Sequence, residues 1–148
     1  MQRFPALFFN TLFIFLVILI LTVGMLIIRT FLLPVETIHI TADVHVKNRA
    51  IGFNLDTDAL HFGTVMPGAR AERAVTLTNP YAFPVKVIVK ADPNEWISLS
   101  QNPFYIPPHA SRSVLFTLHV PDTARPGSRV WNLTFFLYRA WPFVSPDE

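Results

Sequence analysis

With 148 residues, twelve Lys and Arg against ten Asp and Glu, and no cysteine, the chain has room for one anchor and one domain of ordinary size. The surplus of two positive charges disappears once Arg3 and Arg29 are set aside, and no basic run remains to track phosphates, so nucleic acid is not an expected partner. Disulfides, thiolate metal sites and a cysteine nucleophile are excluded outright.

Residues 1–6 read as a short tail and residues 7–33 as a membrane anchor. The stretch LFFNTLFIFLVILILTVGMLII, Leu7 to Ile28, carries no charge. At about 1.5 Å per residue it makes a rod of roughly 33 Å, long enough to cross a hydrocarbon core. Apolar side chains surround it, so it lacks the polar face of a helix lying on a surface. It is too long for a signal peptide and no small-x-small cleavage site follows, which predicts an uncleaved signal anchor. Arg29 can snorkel to the headgroups, and Pro34 is expected to stop the helix. Lys and Arg near the two ends are almost balanced, but the six-residue tail is easily left inside. The expected location is therefore the cytoplasmic membrane, single-pass, with the N-terminus inside and the C-terminal domain outside.

From Ile38 the pattern changes to period two. Ile38, Ile40, Ala42, Val44 and Val46 alternate with His39, Thr41, Asp43, His45 and Lys47, the signature of a half-buried strand. A turn is expected at Asn48-Arg49 and Gly52, then Phe53, Leu55 and the acidic Asp56-Thr57-Asp58. Phe62 and Val65 read as core, with turns at Gly63 and Pro67-Gly68. Val75 and Leu77 mark a strand that ends at Asn79-Pro80. Val85, Val87 and Val89 face inward on the next, with Lys86 and Lys90 outward. Shorter extended pieces are expected at Trp96 to Ser100 and Asn102 to Pro107. Val114, Phe116, Leu118 and Val120 define another strand. The last has Trp131, Leu133, Phe135 and Leu137 on one face and Asn132, Thr134, Phe136 and Tyr138 on the other. Thirteen prolines leave no room for a second long helix. The expected fold is all-β, an antiparallel sandwich of about seven to nine strands over residues 37–139, with a tail at 140–148.

Two stretches carry a resemblance. LHFGTVMPGARAERAVTLTNPYAFPVKVIV, Leu60 to Val89, resembles the opening of immunoglobulin-like domains of the major-sperm-protein and abnormal-spindle/hydin type. VPDTARPGSRVWNL, Val120 to Leu133, resembles the end of related prokaryotic domains. Together they look like membrane-anchored immunoglobulin-like proteins of archaea. Gly68, Asn79 and Gly127 stand where the motif expects them, with roles in turn geometry and loop bonding. Arg129 and Trp131 depart from it, which leaves the packing of the last strand open.

No constellation points to catalysis. His39 and His45 on one strand face lie about 20 Å apart, too far to share a metal, and His61, His109 and His119 fall on other segments. Asp56 and Asp58 could meet one calcium ion, but such loops need more oxygen ligands, and only Glu72 and Asp92 are conceivable helpers. Neither a nucleophile elbow nor a phosphate-cradling glycine loop is present. No enzyme activity and no cofactor are expected. Asn132-Leu133-Thr134 is a glycosylation sequon, although a strand is a poor acceptor context. Trp141 and Phe143, fixed by Pro142, either cover a sheet edge, dock on a partner or enter the membrane interface.

The expectation for function is a non-enzymatic structural or protein-interaction module. It is held to the bilayer by residues 7–33 and meets an unidentified protein partner, a membrane complex or cell-envelope component, through sheet faces or strand edges. Phe136, Tyr138, Trp141 and Phe143 are the candidate contact residues. Two alternatives stay open at this point. A pilin- or archaellin-like filament subunit would share the layout, but Arg3 is followed by Phe4-Pro5 rather than a processing site. An accessory subunit of a larger membrane complex would use Asn10, Thr11 and Thr22 to bond a neighbouring helix.

Overall fold

A computed structural model describes residues 6–47, 59–93 and 95–140 of the chain. It divides into two units, Met1–Leu33 and Pro34–Glu148.

The first unit is helical. Helix α1 (Ala6–Ile27) runs through the apolar stretch and continues into a π-helical turn, Ile28–Leu32. Leu33 is extended, at φ −94° and ψ 142°, because the ring of Pro34 disfavours a helical conformation in the residue before it. Its large side chains stand exposed all round, and the helix is long and apolar enough to cross a membrane. The Thr22 and Thr30 hydroxyls donate back to the carbonyls of Ile18 and Leu26, at 2.8 and 2.7 Å. The Thr22 hydroxyl proton is thus spent within its own helix.

The second unit is mostly strand, in two sheets. The larger has five strands in the order β2 (Leu60–Val65), β1 (Glu36–Val46), β8 (Gly127–Arg139), β4 (Val85–Asp92) and β6 (Phe104–Ile106). The smaller has three, β3 (Arg70–Thr78), β7 (Ser111–His119) and β5 (Ile97–Leu99). Eight strands among the described residues fall within the expected range. Alternation sorts the faces as the sequence predicts: Val85, Val87 and Val89 of β4, Val114, Phe116 and Leu118 of β7, and Trp131, Leu133, Phe135 and Leu137 of β8 are buried. Side chains from both sheets join one core cluster, with Phe116 of the smaller sheet 6.0 Å from Phe135 of the larger.

Two expectations need correction. The unit is not wholly antiparallel, since β1 and β2 pair in parallel, Ala42 opposite Leu60. A parallel pair needs a crossover rather than a hairpin, and the span from Val46 to Leu60 is long enough for one. The turn expected at Asn48 to Gly52, and Asp56 and Asp58 with it, lie outside the described residues. Gly63 is not in a turn but inside β2, at φ +75°. There the register slips, from Asp43 opposite His61 to His45 opposite Thr64. The extra residue is a bulge, and it lets Phe62 and Val65 both reach the core despite their odd spacing. In addition, β6 is short because a side chain replaces its next rung. The Val89 N–H donates to Asn102 Oδ1 at 3.0 Å, and Asn102 Nδ2 donates to the Val89 carbonyl at 2.8 Å.

Arg129 and Trp131 both meet one aromatic residue, Trp96. Trp131 is buried and packs on Trp96 at 5.8 Å between ring centres, while the Arg129 guanidinium lies 5.2 Å from the same Trp96 ring. Gly68 is at φ +78°, which strains any side chain, and a Cβ there would also push the Asp122 carboxylate aside. Asn79 is fully buried and bonds three carbonyls, those of Phe83, Ile106 and Pro107, while accepting from the Tyr81 N–H. It ties the β3–β4 loop to the end of β6.

Candidate interaction face

The five-stranded sheet has one face on the core and one turned away, and the second is the candidate site. Its position follows from period two on the central strand: with Phe135 and Leu137 buried, Phe136 and Tyr138 must point outward. Register aligns them with neighbours in rows across the sheet. Tyr138 stands opposite Lys86, which stands opposite Tyr105; Phe136 lies between Thr37 and Ile88; Thr134 lies between His39 and Lys90.

Two lysines lie over this aromatic surface. Lys86 Nζ is 6.0 Å from the Tyr105 ring centre, and Lys90 Nζ is 5.5 Å from that of Phe136. Such cation–π contacts cover part of the ring with the side-chain stem while the ammonium stays in water. Phe136, Tyr138, Ile88 and Tyr105 are accordingly half-buried rather than bare. The outer face of the three-stranded sheet is different in kind. Ala74, Thr76, Thr78, Ser98, Ser111 and Ser113 make one part of it short, Arg70, Glu72, Thr117 and His119 make the other part polar and charged, and Leu115 is the exposed large apolar residue on it.

The sheet edges are partly closed. Arg73 on β3 points inward and donates from Nε to the His61 carbonyl of β2 and from Nη1 to the Glu72 carbonyl, both at 2.9 Å. Arg112 on β7 donates from Nη1 to the Tyr105 carbonyl of β6 at 2.9 Å. Each edge strand of the larger sheet therefore has a backbone acceptor capped by an arginine from the smaller sheet. Inward charges of this sort are a known means of discouraging strand addition. Neither arginine drew notice in the sequence, because its partner is twelve positions away in one case, seven in the other, and on a different strand in both.

The remaining candidates disperse. His39 Nδ1 lies 3.1 Å from Thr134 Oγ1, His45 Nδ1 2.8 Å from Ser128 Oγ, and His61 pairs with Asp43 across β1 and β2. Among the described residues no three His, Asp or Glu side chains are gathered to hold a metal ion. Asn132 is exposed, but it sits on the central strand with Thr41 on one side and Asp92 on the other. Trp141 and Phe143 lie outside the described residues.

At the start of β1, Tyr81 donates its hydroxyl to Glu36 Oε2 at 2.9 Å. That bond to the carboxylate, then partial burial, then the charge of Glu36 raise the Tyr81 phenol above its ordinary value. Tyr81 stacks on Phe83 at 5.1 Å, and the Arg139 guanidinium lies 3.8 Å from the Phe83 ring centre.

No protein-family model matches the chain, and no curated protein matches it.

Proposed function

We propose that the protein is a single-pass membrane protein, N-terminus inside, that displays an immunoglobulin-like sandwich outside the cytoplasmic membrane as a non-enzymatic interaction module. The apolar helix supports the anchor, and the motifs at Leu60 to Val89 and Val120 to Leu133 support the immunoglobulin-like reading. One observation carries the choice of surface. The two outward faces differ, one bearing aromatic rings and lysines, the other without an aromatic ring among its strand residues and made of small, polar and mixed-charge side chains. A side chain such as Phe136 costs solubility on a face that contacts only water, and aromatic residues are enriched where proteins meet. Capped carbonyls at His61, Glu72 and Tyr105 favour contact through this face over strand addition at those edges.

The test is site-specific photocross-linking in native membranes. A photoreactive residue at Tyr138 should give discrete adducts with one partner, whereas the same residue at Leu115 should give none. Adducts from Leu115 alone would move the surface to the other sheet.

A further inference from the structure

Charge is unevenly spread over the outer face of the five-stranded sheet. On β4, Lys86, Ile88 and Lys90 take successive outward positions, and β8 sets Tyr138, Phe136 and Thr134 opposite them. These three rows carry no carboxylate among the described residues. The ion pair among the described residues joins His61 to Asp43, on the β1 and β2 side of the sheet. Each lysine instead lies over a ring, Lys86 over Tyr105 at 6.0 Å and Lys90 over Phe136 at 5.5 Å. A ring occupies one side of an ammonium group, which has three N–H donors, so both lysines keep donors for an incoming anion.

Spacing and chemistry together define what fits. Lys86 and Lys90 are four residues apart on one strand, about 13 Å. Between them lies an apolar strip, Ile88 beside Phe136. A second copy of the same face is unsuitable, because it would set ammonium against ammonium. A polyanionic sugar or a phosphate would match the lysines and leave Ile88 and Phe136 in water. A protein surface supplies carboxylates and apolar cover at once.

We propose that the partner meets this face with an acidic protein segment, two carboxylates about 13 Å apart with apolar side chains between them. Such carboxylates stand about four residues apart in an extended segment, or about eight in a helix. This assignment rests on reading the face as the contact surface, and adds the chemistry of what covers it.

The test uses the full chain in native membranes. A zero-length carbodiimide, which joins amine to carboxylate only in direct contact, should link Lys86 and Lys90 to Asp or Glu of one other protein. Lys86→Met/Lys90→Met keeps the stems over the rings and removes the charge. It should lower the photocross-link from Tyr138 about threefold to tenfold, the worth of two part-exposed ion pairs. Lys86→Arg/Lys90→Arg should retain the adduct, and raised ionic strength should weaken it in the native chain. Carbodiimide products with this chain's own carboxylates, with a polysaccharide or with nothing would overturn the proposal. So would a Tyr138 adduct of undiminished yield in the Met variant, and that result would leave the contact surface standing. No Tyr138 adduct in the native chain would remove the contact surface itself, and the acidic partner with it.

Discussion

Arg73 Nε and the His61 carbonyl oxygen, 2.9 Å apart, join an edge of one sheet to an edge of the other. The bond depends on Arg73 pointing inward from β3, where an apolar residue would otherwise continue the series Ala71, Val75 and Leu77. Arg73→Met keeps the stem and removes the donors. It should cost about 1–2 kcal/mol, since hydrogen bonds from a charged group are worth somewhat more than neutral ones and this one is part-exposed. It should also make the domain associate through β-edges, visible as concentration-dependent sedimentation. A variant that melts as native and stays monomeric would show that the edge is protected otherwise.

Asn79 should matter more. Its substitution by Ala strands the carbonyls of Phe83, Ile106 and Pro107 and the Tyr81 N–H around a fully buried position. Unsatisfied buried groups cost about 1–3 kcal/mol each, partly relieved by water, so Asn79→Ala should lose about 2–4 kcal/mol in denaturant unfolding. A loss below about 0.5 kcal/mol would mean that the loop repacks without it.

How much of this was legible beforehand varies by element. The alternation of β8 is written in local chemistry: Trp131, Leu133, Phe135 and Leu137 can share only one face, and hydrophobicity selects it. The parallel pairing of β1 with β2 is not, because strand direction depends on a crossover whose path no local pattern encodes. Gly63 illustrates an ambiguity rather than a gap, as a positive-φ glycine serves a turn or a bulge equally well. Asn102 imitating a strand residue, and Arg73 and Arg112 capping distant carbonyls, exist only once the strands are in register. For the candidate face, Phe136 and Tyr138 were readable from period two. Ile88, Tyr105 and the lysines joined them only through sheet order.

The Tyr81–Glu36 bond gives a pH signature. The folded phenol is raised above its unfolded value, so the bond contributes stability that is complete below about pH 10 and is lost as the pH rises through the folded value. Ultraviolet difference titration should therefore show Tyr81 ionising late, and Glu36→Ala should bring it back toward the ordinary tyrosine value. An unchanged titration curve in Glu36→Ala would dissociate the shift from this pair.

For topology, protease added to cells stripped of any covering layer should digest the domain while α1 and its flanks remain in the membrane. Digestion only after lysis would reverse the assignment of inside and outside.

The central claim is that the two faces of β8 do different work, one holding the fold and one meeting a partner. Phe135 and Phe136 are adjacent, equal in chemistry and opposite in direction, so they test it with the least ambiguity. Phe135→Ala should lower the stability of the domain by about 3–5 kcal/mol. Phe136→Ala, losing a half-buried ring and its contact with Lys90, should cost only about 1 kcal/mol. The decisive measurement pairs thermal unfolding with photocross-linking from Tyr138 in the Phe136→Ala protein. Near-native melting with the partner adduct lost is the predicted result; destabilisation equal to that of Phe135→Ala, or an adduct of undiminished yield, would contradict it.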